Sequence, residues 1–133
     1  MWDWGSNINE KNSSRTKLCE LLAKPLEERQ SMSCAAKEKY PHIIPIIITR
    51  SNTEKNLPDI DKIKFLFPKD NSFATIIEII RKRVKMDSTY AMFLFVGGGN
   101  IPSSSSSIAQ IYEQHKNKDG FLYITYNGEN TFG

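Results

Sequence analysis

Two cysteines and two histidines in 133 residues leave little for chemistry that depends on those side chains. Cys19 and Cys34 are too few for a disulfide framework, and a zinc site needs about four closely spaced ligands. A reducing, cytoplasmic setting is the expectation. His42 and His115 stand apart, and neither has a serine or cysteine placed beside it as a nucleophile. Asp59, Asp61 and Asp70 lack the ligand periodicity of a calcium loop. The run Gly97-Gly98-Gly99 has no Lys-Ser/Thr pair after it, so it is a poor match to a phosphate loop. No metal or cofactor motif is left, and an enzyme has no residue to rest on. No apolar run approaches the ~20 residues that span a bilayer, and the start lacks the apolar centre of a signal peptide. Positive charge exceeds negative by only 3, which is no nucleic-acid footprint.

What the chain does have is enough apolar residue, 39%, for one real core in a soluble domain. Residues 1–14 are polar apart from Trp2 and Trp4 and read as a flexible start, with a docking arm as the alternative. From Thr16, Leu18, Leu21 and Leu22 form a helical stripe that ends near Pro25. Leu26 to Lys39 reads as a second helix with Met32, Ala35 and Ala36 on one side, stopped at Tyr40-Pro41. Ile43 to Thr49 is a β-branched strand whose Pro45 calls for an edge or a bulge. Ile63 to Phe67 alternates lysine with apolar residues and ends at Pro68, the pattern of an edge strand.

Ser72 is placed to cap a helix whose stripe is Phe73, Ile76, Ile77, Ile80 and Val84. Arg81, Lys82, Arg83 and Lys85 complement the negative end of its dipole. Met92 to Val96 reads as a strand covered on both faces, and Gly97 to Ser106 as a flexible loop. Ser107 and Gln110 have capping-box spacing ahead of a short helix. Asp119-Gly120 turns into a central strand, Phe121 to Tyr126. The order α-α-β-β-α-β-α-β predicts an α+β fold, a ubiquitin-like β-grasp with a four-stranded mixed sheet and two extra N-terminal helices. Residues 1–25 would form an extension with the first helix, 26–126 the body, and 127–133 a flexible tail.

Several blocks carry a resemblance: KYPHIIPIII, LPDIDKIKFLFPKD, IIRKRV, AMFLFV and IYEQHKNKDGFLYITYNGENTFG. Together they resemble the autophagy ubiquitin-like modifiers, the GABA-receptor-associated protein and microtubule-associated light chain 3 type, from about Leu26 to Gly133. The resemblance implies that E1-like and E2-like enzymes pass the C-terminal glycine, Gly133, to phosphatidylethanolamine on the autophagosome membrane, with Phe132 as their apolar handle. A cysteine protease would process the chain or remove the lipid. Because the sequence stops at Gly133, the gene is expected either to encode the mature end or to need a trimming step. The protein would be cytoplasmic, and on the autophagosome membrane when lipidated.

The resemblance also implies recruitment of cargo receptors with aromatic-x-x-aliphatic motifs, which add a strand to an exposed sheet edge. The aromatic pocket would use Pro45, Ile47, Lys64, Leu66 and Phe121. The aliphatic pocket would use Phe65, Phe67, Pro68, Ile76 and Ile79, with Arg83 near its rim. The second helix has Met32 and Ala36 where relatives carry an acidic residue and a larger aliphatic one, implying a wider aromatic pocket. The alternative function is a non-conjugated ubiquitin-like binding module.

Overall fold

The computed structural model describes residues 13–86 and 90–128, together with the backbone of Trp2 and Asp3. Its elements are β1 (Trp2–Asp3), α1 (Ser14–Leu22), α2 (Leu26–Lys39), β2 (Ile43–Arg50), β3 (Lys64–Pro68), α3 (Phe73–Arg83), β4 (Met92–Val96), α4 (Ile108–His115) and β5 (Leu122–Gly128). The sheet order is β1-β3-β2-β5-β4. β2 and β5 run parallel at the centre, and the antiparallel pairs β2/β3 and β4/β5 flank them. This is the expected four-stranded mixed β-grasp sheet with two leading helices. The two-residue β1 is added antiparallel outside β3. The reading of residues 1–14 as a flexible start therefore does not hold for Trp2 and Asp3.

Period-two alternation sorts the sheet into two faces. Ile44, Ile46 and Ile48 of β2, Phe65 and Phe67 of β3, and Leu122, Ile124 and Tyr126 of β5 point into one core with Phe73, Ile76 and Ile80 of α3. On the other face Ile47 and Phe121 pack with Leu21 of α1, and Ile43 and Leu66 pack with Ala36 of α2. The leading helices thus cover a sheet face that would otherwise leave apolar side chains in water. On α1 the buried positions are Ser14, Lys17 and Leu21, while Leu22 is exposed, so the expected leucine stripe is only partly right. On α2 the exposed Ala35 gives its expected place to Ser33.

Pro45 lies in a central strand, neither at an edge nor in a bulge, and the ladder explains why. Ile48 N–H donates to Ile63 O at 2.9 Å, so Ile44, Ile46 and Ile48 turn their backbone groups toward β3. Pro45 turns its own toward β5, whose pairing begins one residue later at Ile46↔Leu122. The missing N–H faces the turn before β5 and breaks no rung.

Three further expectations need correction. β4 is covered on one face only, with Phe93 exposed, because it forms the far edge of the sheet. Ser72 stands at the N-cap of α3 but its side chain makes no capping bond. The carbonyls of Ser106 and Ser104 accept from Phe73 and Ala74 N–H instead, at 2.8 and 3.0 Å. The serine-rich loop is thereby fastened to the helix start, and it meets the orphan N–H groups that every helix leaves. Finally, β5 continues past Tyr126 through Asn127 and Gly128, which pair with Phe93 and Met92. The Ser107 cap is as expected, accepting from Gln110 N–H at 3.1 Å.

Candidate peptide-binding edge

Apart from Pro68, the residues assigned to two pockets fall on opposite faces of the sheet at β3. Lys64 and Leu66 share a face of β3 and stand across from Ile47 and Pro45. Ile47 belongs to the same apolar cluster as Phe121 beneath α1 and α2. On the reverse face, Phe65 and Phe67 stack with ring centroids 6.1 Å apart, packed with Ile76 and the partly buried Ile79 of α3. Pro68 closes the strand paired with Ile43, which puts it on the Leu66 face, so it does not join Phe65 and Phe67 on the side expected of the aliphatic pocket. The guanidinium of Arg83 lies 5.6 Å from the Phe65 ring and donates to Asp61 at 2.8 Å. The Lys62 ammonium lies over the same ring at 5.1 Å. The structure therefore groups Pro45, Ile47, Lys64, Leu66 and Phe121 on one side, and Phe65, Phe67, Ile76, Ile79 and Arg83 on the other.

Ile47, Phe65, Leu66, Phe67, Ile76 and Phe121 are each no more than 1% exposed, so they are core residues first. Lys64, Pro68, Ile79 and Arg83 reach the surface in part. Burial pushes the Lys64 ammonium below its ordinary pKa, and the positive charge of Lys24 adds to the effect. Lys24 in turn pairs with Glu28 at 3.5 Å.

Two polar anchors, at the start and the end of β5, have no signal in the sequence. Asp119 is fully buried and accepts from Arg29 at 2.8 Å, from the Tyr123 hydroxyl and from Phe121 N–H at 2.9 Å, while Ser33 Oγ donates to its carbonyl. This ties α2 to the start of β5 and so fixes Phe121. Burial and the bond to Asp119 both push the Tyr123 phenol up, keeping it a donor at any ordinary pH. The second anchor is Glu54, whose carboxylate accepts from Asn56, Leu57 and Gly128 N–H. Burial alone would raise its pKa, but these bonds with the nearby Arg50 hold it below the usual range. Glu54 thus grips the last residue of β5, immediately ahead of the C-terminal segment. Phe132 and Gly133, expected to carry conjugation, lie outside the described residues.

A parallel central pair crossed by α3, with antiparallel strands outside, defines a ubiquitin-like protein. The family model for the autophagy protein Atg8, ubiquitin-like, matches residues 28–133. The chain is 44% identical to autophagy-related protein 8a of Arabidopsis thaliana over 112 residues, 84% of this chain and 90% of that one. It is 40% identical to autophagy-related protein 8 of Candida glabrata over 109 residues, covering 82% and 91%. The crystal structure of Trypanosoma brucei ATG8 superposes with a TM-score of 0.76 at 34% identity, covering 84% of this chain and 95% of that one. The chain belongs to the Atg8 ubiquitin-like family.

Proposed function

We propose that this chain is a lipid-conjugated autophagy modifier whose β3 edge recruits partners carrying aromatic-x-x-aliphatic motifs. The observation that carries the recruitment half is the split of the two residue sets across β3. In an extended strand, residues i and i+3 point to opposite faces. A motif with that spacing, added as a strand beside β3, sends its aromatic toward the Ile47 and Phe121 side and its aliphatic toward Phe67 and Ile79. The lysine at 64 favours acidic residues flanking the motif.

The conjugation half is supported by family membership and by the glycine at position 133. ATP converts its carboxylate to an acyl-adenylate with release of pyrophosphate, and an enzyme cysteine thiolate then displaces AMP to form a thioester at that carbonyl. The phosphatidylethanolamine amine then attacks, an amide forms and the thiol leaves. Glycine suits this because no Cβ obstructs the approach to a narrow catalytic cleft. Two acyl chains give stable anchoring where one gives marginal binding. None of the helices among the described residues is long and apolar enough to cross a membrane, so the lipid would supply the attachment. In this scheme E1-like and E2-like enzymes and a cysteine protease act on the chain, which is a substrate and adaptor and not a catalyst.

Calorimetry with a Trp-x-x-Leu peptide tests the edge. Replacing a pocket residue at a binding hot spot typically costs about 2 kcal/mol or more, roughly thirty-fold in affinity. Leu66→Ala and Lys64→Glu are each expected to weaken binding measurably. Unchanged affinity in both places the site elsewhere.

A further inference from the structure

The outer edge of β3 is already in use. Trp2 pairs with Leu66 and Asp3 with Phe65, antiparallel, on the side of β3 away from β2. A peptide joining the sheet needs the same row of backbone N–H and C=O groups, and each row serves one neighbouring strand at a time. We propose that residues 2–3 are a built-in occupant of the peptide-binding edge, competing with incoming motifs for Phe65 and Leu66. The inference rests on the reading of β3 as that edge, and adds its regulation.

Three features support the competition. First, the pairing is intramolecular. Nine residues, 4–12, join β1 to the N-cap Ser13 of α1, and a short tether keeps its end at an effective concentration of about millimolar. Second, the other end of the tether is held close to β3. Ser14 N–H donates to Asp59 at 2.9 Å, and the Lys17 ammonium donates to the carbonyl of Asp61, three residues ahead of Lys64. Third, the occupant is small. Two residues offer few rungs and a peptide with two side-chain anchors offers more, so displacement is reversible and depends on peptide strength. When the closed form dominates, the apparent dissociation constant rises in inverse proportion to the open fraction.

There is also a reason for an edge like this to be covered. β3 presents Phe65-Leu66-Phe67 beside the isoleucine-rich β2. Long apolar edges invite pairing with other chains, and natural sheets blunt them with charges or a covering segment. Lys64 supplies a charge at one end, and β1 covers the residues that follow it.

The test compares the full chain with its Trp2→Pro/Asp3→Pro variant, because proline cannot donate to a ladder. Two measurements are made, amide hydrogen exchange across Lys64–Phe67 and calorimetric affinity for a blocked synthetic peptide containing Trp-Glu-Glu-Leu. The expected result is faster exchange at the β3 edge in the proline variant and at least five-fold tighter peptide binding. Leu66→Ala should weaken the peptide in both backgrounds. Equal affinity for wild type and variant overturns the competition while leaving the peptide edge intact. Faster exchange with no peptide binding by either chain refutes the peptide edge, and the competition falls with it.

Discussion

Gly120 offers a sharp test of the packing between α2 and the turn into β5. Its φ is +90°, and a Cβ built there would lie 2.3 Å from Ser33 Oγ and 3.1 Å from Ser33 Cβ. Ser33 sits on α2, is buried, and donates to the carbonyls of Asp119 and Gln30. Gly120→Ala therefore imposes two penalties. A left-handed backbone costs an L-residue about 1–2 kcal/mol. Driving Ser33 Oγ off its carbonyls leaves buried polar groups unsatisfied at about 1–3 kcal/mol. The sum, roughly 2–5 kcal/mol, is a large fraction of a small domain's stability.

Urea unfolding followed by far-ultraviolet circular dichroism measures it. With a slope of about 1–3 kcal/mol per molar, the midpoint should fall by roughly 1–2 M. Gly98→Ala is the control, because Gly98 has φ +78° but no atom within 4 Å of the added Cβ. It should show only the backbone penalty. Ser33→Ala should relieve part of the Gly120→Ala loss, a coupling that a double-mutant cycle reads directly. Equal destabilisation by Gly120→Ala and Gly98→Ala would refute the close approach of α2 to this turn.

Other expectations follow from the same contacts. Asp119→Ala removes the acceptor for Phe121 N–H and the Tyr123 hydroxyl, and hydrogen bonds to a charged group are worth about 1.5–3 kcal/mol each. A loss of about 3 kcal/mol or more in urea is expected, with weakened peptide binding as Phe121 shifts; retained stability would show that the clamp contributes little. Glu54 and Asp59 both have folded pKa values held below the ordinary carboxylate range, by hydrogen bonds that outweigh burial. Their stabilisation is fully present above the unfolded carboxylate values and is lost as pH falls through the lower folded ones. Amides of Gly128 and Ser14 should therefore lose protection on acidification before the central strands do, and Glu54→Gln should weaken that step at Gly128. Simultaneous loss everywhere would contradict it.

How much was legible in the sequence depended on whether the signal was local. α2 is bounded by Pro25 and Tyr40-Pro41, and both ends fall where those residues put them. The stripe of α3 is also local, and Phe73, Ile76 and Ile80 are buried as it predicts. β4 was misread because five apolar residues look alike whether a second layer covers them or not. Phe93 is exposed on the outer face of an edge strand. The extension of β5 to Gly128 depends on Glu54, 74 residues away, and the α2 clamp on Arg29 and Asp119, 90 apart. No window of sequence contains such pairs.

For the site, alternation alone marked the β3 edge. The two-pocket assignment came from family resemblance, and the faces of the sheet supply its geometry. β1 was invisible because two residues carry no periodicity.

The central claim is that the C-terminal glycine is the conjugated end. The most direct measurement incubates the full chain with cognate E1-like and E2-like enzymes, ATP and phosphatidylethanolamine liposomes, followed by flotation and electrophoresis. The account predicts a faster-migrating species that floats with the liposomes and is absent when Gly133 is deleted. No such species with the intact chain, or one that persists without Gly133, would contradict it.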